Sequence, residues 1–257
     1  MPEAMAVAID AARAAGRRLL ESFEGAPTGV DAKSSHTDLV SDADRESESV
    51  IVSAIRWAFP GDAIVAEEGS LEPGGSGRTW YIDPLDGTIN YLYGISHWSV
   101  SIACADDRGA LVGVVFDPCR DELFEAERGA GARLGVARLA VSEQDDLTQA
   151  LIATGFAYVV DYRAAQARLL RTVLPAVRDI RRFGSAALDL AWLARGRIDG
   201  YFESGIQPWD VAAGSLLVRE AGGAVTEVGG IGTDRRHGVI ASNGRIHEPL
   251  RALLARH

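Results

Sequence analysis

Cysteine is scarce: Cys104 and Cys119 are the only two in 257 residues, which excludes a disulfide framework and a cysteine-type zinc site. Both lie in apolar segments and read as buried free thiols. Basic residues are in deficit, 26 Lys and Arg against 36 Asp and Glu, and the net charge of −10 argues against nucleic-acid binding through a broad basic face. Long hydrophobic runs are missing as well. Residues 1–23 interleave alanine with Asp10, Arg13, Arg17, Arg18 and Glu21, leaving no signal-peptide core, and no other segment reaches membrane-spanning length. A cytoplasmic address and no membrane partner are therefore expected. Histidine is sparse too, and His36 and His97 stand isolated, so no convincing His or Cys nucleophile is present.

What remains is an ordinary globular composition, 47% hydrophobic and 24% charged, without low-complexity or short-period repeats. The length accommodates one large domain or two halves sharing an interface, and a single compact unit is expected. Ala4, Ala8, Ala11, Ala15, Leu19 and Phe23 recur at helical spacing and predict a first helix ending near Gly25 and Pro27. A polar loop is expected over 30–40. Ser41-Asp42-Ala43-Asp44 then has the Ser-x-x-acid form of a helix start, with an apolar face running to Pro60-Gly61.

Short extended runs follow at 64–66, 80–82, 98–105, 111–116 and 122–126, predicting a mostly antiparallel sheet, with a glycine-rich loop at 70–77. The second half alternates strand and helix. Strands are expected at 150–154, 180–183, 199–203, 224–227 and 239–241, and helices at 164–177, 185–194, 210–221 and from 245 onward. Such alternation favours an α/β layer arrangement, and two sheets between helix layers accommodate the count.

The most informative string is Trp80-Tyr81-Ile82-Asp83-Pro84-Leu85-Asp86-Gly87-Thr88-Ile89-Asn90. An apolar strand is expected to stop at two carboxylates, because Pro84 cannot donate to a ladder; Gly87 allows close backbone approach before Thr88 opens a helix. Paired carboxylates repel unless a cation or donors offset them, and they are hard oxygen ligands of the kind Mg²⁺ takes. Asp44, Glu67, Glu68 and Asp210 complete the acidic positions. Each also has a purely structural reading: Asp44 closes a capping box with Ser41, Asp210 caps the helix that follows, and Glu67-Glu68 are solvated acids after a strand.

Asp-Pro-x-Asp-Gly-Thr, with Glu67-Glu68 before it and Pro208-Trp209-Asp210 after it, resembles the inositol monophosphatase family of Mg²⁺-dependent, lithium-sensitive sugar phosphatases. The resemblance covers nearly the whole chain and includes Lys33, residues 38–44, Gly184-Ser185-Ala186-Ala187, Glu203 and residues 220–223. It implies a five-layer α-β-α-β-α sandwich over 1–257, with a metal-binding half to about 145 and a substrate half beyond. Glu67, Asp83 and the Leu85 carbonyl would hold one Mg²⁺, and Asp83, Asp86 and Asp210 a second. A weaker third ion would involve Glu67 near the loop carrying Lys33. Asp44 and Thr88 would activate the attacking water, and the Gly87 and Thr88 amides would bind phosphate. Ala186 would lie beside the alcohol, with Glu203, Asp86 and Asp210 near its hydroxyls.

Metal ions flanking an in-line displacement require no covalent phosphoenzyme, in keeping with the missing nucleophile. Gly184-Ser185 also reads as a plain strand-to-helix junction with a serine cap. Gln207-Pro208 and His36-Thr37 are departures from the family pattern, and Arg181-Arg182-Phe183-Gly184-Ser185 with the Pro208 context looks more like bacterial members, leaving the alcohol open. The expected substrate is myo-inositol 1-phosphate or a similar polyol phosphate, against histidinol phosphate, fructose 1,6-bisphosphate or a 3′-phosphoadenosine nucleotide. Residues 156–158 with Asp161-Tyr162 are assigned to the substrate-side rim or a dimer contact, a homodimer being what the resemblance implies. A reading of another class is an interaction role in ribosomal RNA transcription, served by Arg181, Arg182, Arg235 and Arg236 if exposed.

Overall fold

The computed structural model describes residues 2–23, 29–32, 39–231 and 236–255. Gly25, Pro27, Lys33, His36, Thr37, Asp38 and Arg235 lie outside the described residues. Helix α1 (Pro2–Phe23) buries the expected stripe of Ala4, Ala8, Ala11, Ala15 and Leu19. Gly16 on this helix lies so close to the Phe116 ring that a Cβ would fall 2.6 Å from it. Within the expected loop, β1 (Asp31–Ala32) pairs with β2 (Leu39–Val40), a two-residue ladder too short to leave an alternating pattern. Helix α2 (Asp42–Ala58) follows and packs beside α1.

The first large sheet contains β3 (Ala63–Ala66), β4 (Leu71–Glu72), β5 (Thr79–Asp86), β6 (Ser99–Asp106), β7 (Gly109–Asp117), β8 (Glu122–Glu127), β9 (Gly131–Leu134) and β10 (Ala137–Arg138). Its order is β10-β9-β8-β7-β6-β5-β3-β4. All neighbours are antiparallel except β3 and β5, which run parallel. The expected loop at 70–77 thus contains an edge strand, with Ile64 opposite Glu72. Short helix α3 (Thr88–Leu92) leaves the end of β5.

The second sheet contains β11 (Leu151–Thr154), β12 (Asp179–Arg181), β13 (Gly200–Ser204), β14 (Ala224–Val228) and β15 (Gly238–Ser242), in the order β12-β11-β13-β15-β14. Helices α4 (Val160–Val173), α5 (Ala186–Ala194), α6 (Pro208–Glu220) and α7 (His247–Leu254) connect or follow its strands. Helix α4 starts earlier than its periodicity predicts and yields to a 3₁₀ turn at Leu174–Ala176, where Pro175 has no N–H to continue the helix.

Three buried apolar clusters show the layering. One joins α1 and α2 to the first sheet, the second places α5 and α6 between the sheets, and the third packs α4 and α7 on the outer face of the second sheet. This is the expected α-β-α-β-α sandwich. Close approach through the middle layer depends on glycine: a Cβ on Gly113 of β7 would stand 2.9 Å from the Ala213 Cα on α6, and one on Gly214 would stand 2.5 Å from the Leu190 Cβ on α5.

Strand β5 departs from the expected stop at Asp83. It continues through Pro84 to Asp86 by means of a β-bulge: Asp83 faces Ser101 and Asp86 faces Ser99, three steps on one strand against two on its neighbour. Proline is tolerated there because a bulge interrupts the ladder in which its missing N–H would be needed.

Gly113→Val should destabilise the fold by about 1–3 kcal/mol, since the added methyls must displace helix backbone rather than a flexible side chain. Urea denaturation midpoints measure this, with the same substitution at exposed Gly75, where a Cβ meets nothing and φ is not positive, as a control for propensity effects.

Candidate functional site

The bulge orients the site. Residues three apart on a regular strand point to opposite faces, and one extra residue restores Asp83 and Asp86 to a common side. Both line a cavity of about 440 Å³ between the ends of the two sheets, together with Glu67, Leu85, Gly87, Thr88, Ala186, Glu203 and Asp210. All the sequence-assigned site residues therefore meet on one wall system except Asp44. That residue is 0% exposed and sits behind Thr88, whose Oγ1 is 3.1 Å from both Asp44 Oδ1 and the Leu85 carbonyl.

The structural and chemical readings of the acids coexist, because a cap engages only part of a carboxylate. Asp44 Oδ2 accepts from the Ser41 amide at 2.9 Å and from its hydroxyl, completing the expected cap of α2 and turning Oδ1 towards Thr88. Asp210 Oδ2 accepts from the Gln207 amide at 2.7 Å at the start of α6. Asp86 caps from a distance: Ser185 Oγ and the Ala187 amide donate to its Oδ2 and the Ala186 amide to its Oδ1, fastening β5 to the N-terminus of α5. Asp83 Oδ1 accepts from the Leu85 amide at 3.1 Å, an Asx-type turn inside the bulge.

Several positioning residues carried no motif. Buried Glu48 on α2 accepts from the Glu68 and Ser70 amides at 2.7 and 3.1 Å and from the Ser70 hydroxyl, holding the turn that presents Glu67. Ser47 Oγ donates to the Pro84 carbonyl across the same junction. Asn90 Nδ2 reaches the His97 and Phe183 carbonyls, both at 2.7 Å, and ties the loop before α5 to α3. At Gly87 φ is +98°, a conformation open to glycine, and a Cβ there would crowd the His97 and Gly184 carbonyls at 3.1 and 3.2 Å.

Like charge dominates the electrostatics. Burial, then the charges of Glu67, Asp86 and Asp210, push Asp83 well above the usual carboxylate range, and Glu67 lies within hydrogen-bonding reach of it. Asp86 is pushed up to about 7 by burial, opposed by its bonds from Ser185 and Ala187. Asp210 rises well above its usual value through burial and the charge of Glu67. Such a set of hard oxygen donors, crowded and mutually repelling, fits a divalent cation. Among the described residues no three His, Cys, Asp or Glu side chains close into a preformed cage. Mg²⁺ does not need one, since it keeps water and phosphate oxygens in its shell beside one or two carboxylates.

At the other end of the cavity the Tyr201 hydroxyl donates to Glu203 Oε2 at 2.7 Å. Gly155 lies against this carboxylate so closely that a Cβ would fall 2.0 Å from Oε2. Burial raises Glu203 above its usual range, while Tyr201, Arg182 and Arg236 act in the opposite sense. Of the arginines assigned to an interaction surface if exposed, Arg182 is exposed, while Arg181 and Arg236 are half-buried. Arg182 and Arg236 line the cavity, Arg236 stacks 3.9 Å from the Tyr162 ring centroid, and Arg181 pairs with Asp179. Residues 156–158 line the cavity as a substrate-side rim would, whereas Asp161 and Tyr162 are not on its wall. Asp189 also lines it, and no sequence motif pointed to that residue.

His97 is buried between Phe183 and Trp192, with Nε2 unpartnered, which removes it as a nucleophile or ligand candidate. Cys104 is buried as expected but Cys119 only half-buried; burial pushes their thiols up to about 12 and about 11, so both are unreactive.

A sandwich of this layout holds, at the sheet ends, an acid-lined cavity whose oxygen donors fit a divalent cation. Residues 1–257 match the Inositol monophosphatase family, and the chain belongs to it. It is 43% identical over 243 residues to Nus factor SuhB of Vibrio cholerae, covering 93% of this chain and 91% of that protein. The solved extragenic suppressor protein suhB of Bartonella henselae superposes with a TM-score of 0.90 at 41% identity, covering 98% of both chains. An inositol monophosphatase from Anabaena gives 0.83 at 38% identity, covering 97% of this chain and 94% of the other. The family is metal-dependent, typically with Mg²⁺. No helix among the described residues is long and apolar enough to cross a membrane.

His97 should leave a pH signature on stability. Burial and neighbouring Arg120 lower it from 6.5 to about 4, so between these values the unfolded chain binds a proton that the native chain does not. Its contribution is complete above about pH 7.5 and falls by about 2 kcal/mol on going to pH 5. The crowded acids act with the opposite sign, because raised carboxylates bind protons more readily in the native state. The difference in urea stability between wild type and His97→Asn over this range isolates the histidine, and an unchanged difference would contradict its buried neutral state.

Proposed function

We propose that the protein is a Mg²⁺-dependent phosphatase of small phosphate monoesters, most plainly of myo-inositol 1-phosphate or a related polyol phosphate. The observation that carries this reading is the convergence of Glu67, Asp83, Asp86 and Asp210 on one cavity beside Thr88 and Asp44. Glu67, Asp83 and the Leu85 carbonyl would hold one ion, Asp83, Asp86 and Asp210 a second, and Glu67 a weaker third. What Mg²⁺ supplies when bound is positive charge against the phosphoryl oxygens and a more acidic water.

The chain's own groups divide the remaining work. Thr88 Oγ1, held between Asp44 and Leu85, orients the attacking water; its proton passes through the hydroxyl to Asp44 Oδ1, which the Ser41 cap has aimed at it. Gly87 and Thr88 amides bind phosphate oxygens at the start of α3. Ala186 contacts the alcohol and Glu203 accepts from its hydroxyls, with Asp86 and Asp210 at the boundary between the two ends. Uncatalysed hydrolysis of such esters is extremely slow, so electrostatic complementarity to the transition state is the main demand on the site. The chain works as one domain, its first half to about residue 145 supplying most metal-side groups, and as a homodimer in solution.

Relatives named Nus factor SuhB support a second, non-catalytic interaction role. Arg182 is exposed and Arg181 and Arg236 are half-buried, and Arg182 and Arg236 also line the cavity. Retention of transcription factors by a catalytically silent variant in a pull-down is the expected sign of that role, and its absence leaves the enzyme reading alone.

Phosphate release from inositol, fructose, histidinol and nucleotide phosphates with Mg²⁺ tests the main reading, and no release from any of them would refute it. Asp83→Asn should lower kcat about 10³-fold. Without metal its urea midpoint should equal or exceed that of wild type, because one repelling charge has gone. Mg²⁺ should raise the melting temperature of wild type and not of this variant.

A further inference from the structure

Asp189 performs no role in the mechanism above, yet its placement is costly. It lies in the first turn of α5 among buried Ala187, Leu188, Leu190 and Ala191, where an apolar side chain would serve packing equally well. An acid near a helix N-terminus is favourable in solvent, but this one is 2% exposed and its Oδ1 has no hydrogen-bond partner. Leaving such an oxygen unmatched carries the full desolvation penalty of the group. The residue lines the cavity within the field of Glu203, Asp86 and Arg182.

We propose that Asp189 is a specificity-determining residue whose carboxyl group hydrogen-bonds a hydroxyl of the substrate's polyol moiety, forming with Glu203 the wall that reads the alcohol. The inference rests on the phosphatase reading and extends it to the choice of substrate. Glu203 is anchored by the Tyr201 hydroxyl and backed by Gly155, so one side of the wall is rigid. Asp189 is anchored by the helix itself, and its missing partner is supplied by the ligand. Burial, with the charges of Glu203 and Asp86, holds Asp189 well above the usual carboxylate range. A polyhydroxylated ring can present a hydroxyl to each of the two carboxyl groups, Asp189 and Glu203, that line the cavity.

Steady-state kinetics of Asp189→Leu and Asp189→Asn on myo-inositol 1-phosphate, histidinol phosphate and p-nitrophenyl phosphate test this. Asp189→Leu should raise KM for the inositol ester about tenfold more than for the nitrophenyl ester, with kcat for the inositol ester changed less than about threefold. Asp189→Asn, which keeps hydrogen-bonding capacity, should recover most of that loss. Equal effects on both esters, or none, would overturn the proposal while leaving the phosphatase reading intact. A loss in Asp189→Asn as large as in Asp189→Leu, greatest on histidinol phosphate, would replace the hydroxyl with an ammonium and likewise overturn it. If wild type releases phosphate from no ester, the phosphatase reading fails and takes this inference with it. Circular dichroism and melting temperature report folding, and should Asp189→Leu not fold, Asp189→Ala replaces it with the same expected KM ratio.

Discussion

Between Asp83 and Asp86, strand β5 runs three residues against two on β6, and this extra residue turns both carboxylates towards one cavity. The surrounding structure is organised to hold that arrangement. Ser47 takes the Pro84 carbonyl, Asp83 folds back on the Leu85 amide, and Asp86 accepts three donors from the start of α5. Four acids would not gather in a buried cavity on their own account. They are kept there by the rest of the sandwich, and the repulsion left over is what a divalent cation would relieve.

The same groups serve folding and the site because a carboxylate has two oxygens and several lone pairs. Asp44 and Asp210 each give one oxygen to a helix start, so the cap defines the direction in which the other can act. Loss of either acid would affect a helix end as well as chemistry. The cavity also carries Glu203, Asp189, Arg182 and Arg236, so two cationic side chains share its lining with the carboxylates of β5 and α6.

Much of the layered fold was legible in the chain. Alanines at helical spacing in α1, Ser41 and Asp44 at the α2 start, and strand-helix alternation after residue 150 are local patterns, each decided by residues close in sequence. The short strands β1, β2, β4, β9 and β10 were not legible, because two to four residues on an edge carry no reliable alternation. Pro84 was misleading for a different reason: proline argues against a regular ladder, and only the partner strand reveals that the ladder resumes beyond it.

The site divides along the same line. By itself the sequence determined which acids are present, their spacing around Gly87 and Thr88, and the family whose motif they form, since these depend on residue identity and order alone. Only the tertiary structure decided that Asp44 reaches the cavity through Thr88, that Glu48 and Asn90 hold the turns, that Arg182 and Arg236 line the cavity, and that Asp189 is buried with its Oδ1 unpartnered. Burial, pairing and orientation arise where segments distant in sequence pack against one another, and no local pattern encodes the dielectric or the neighbours a side chain meets there.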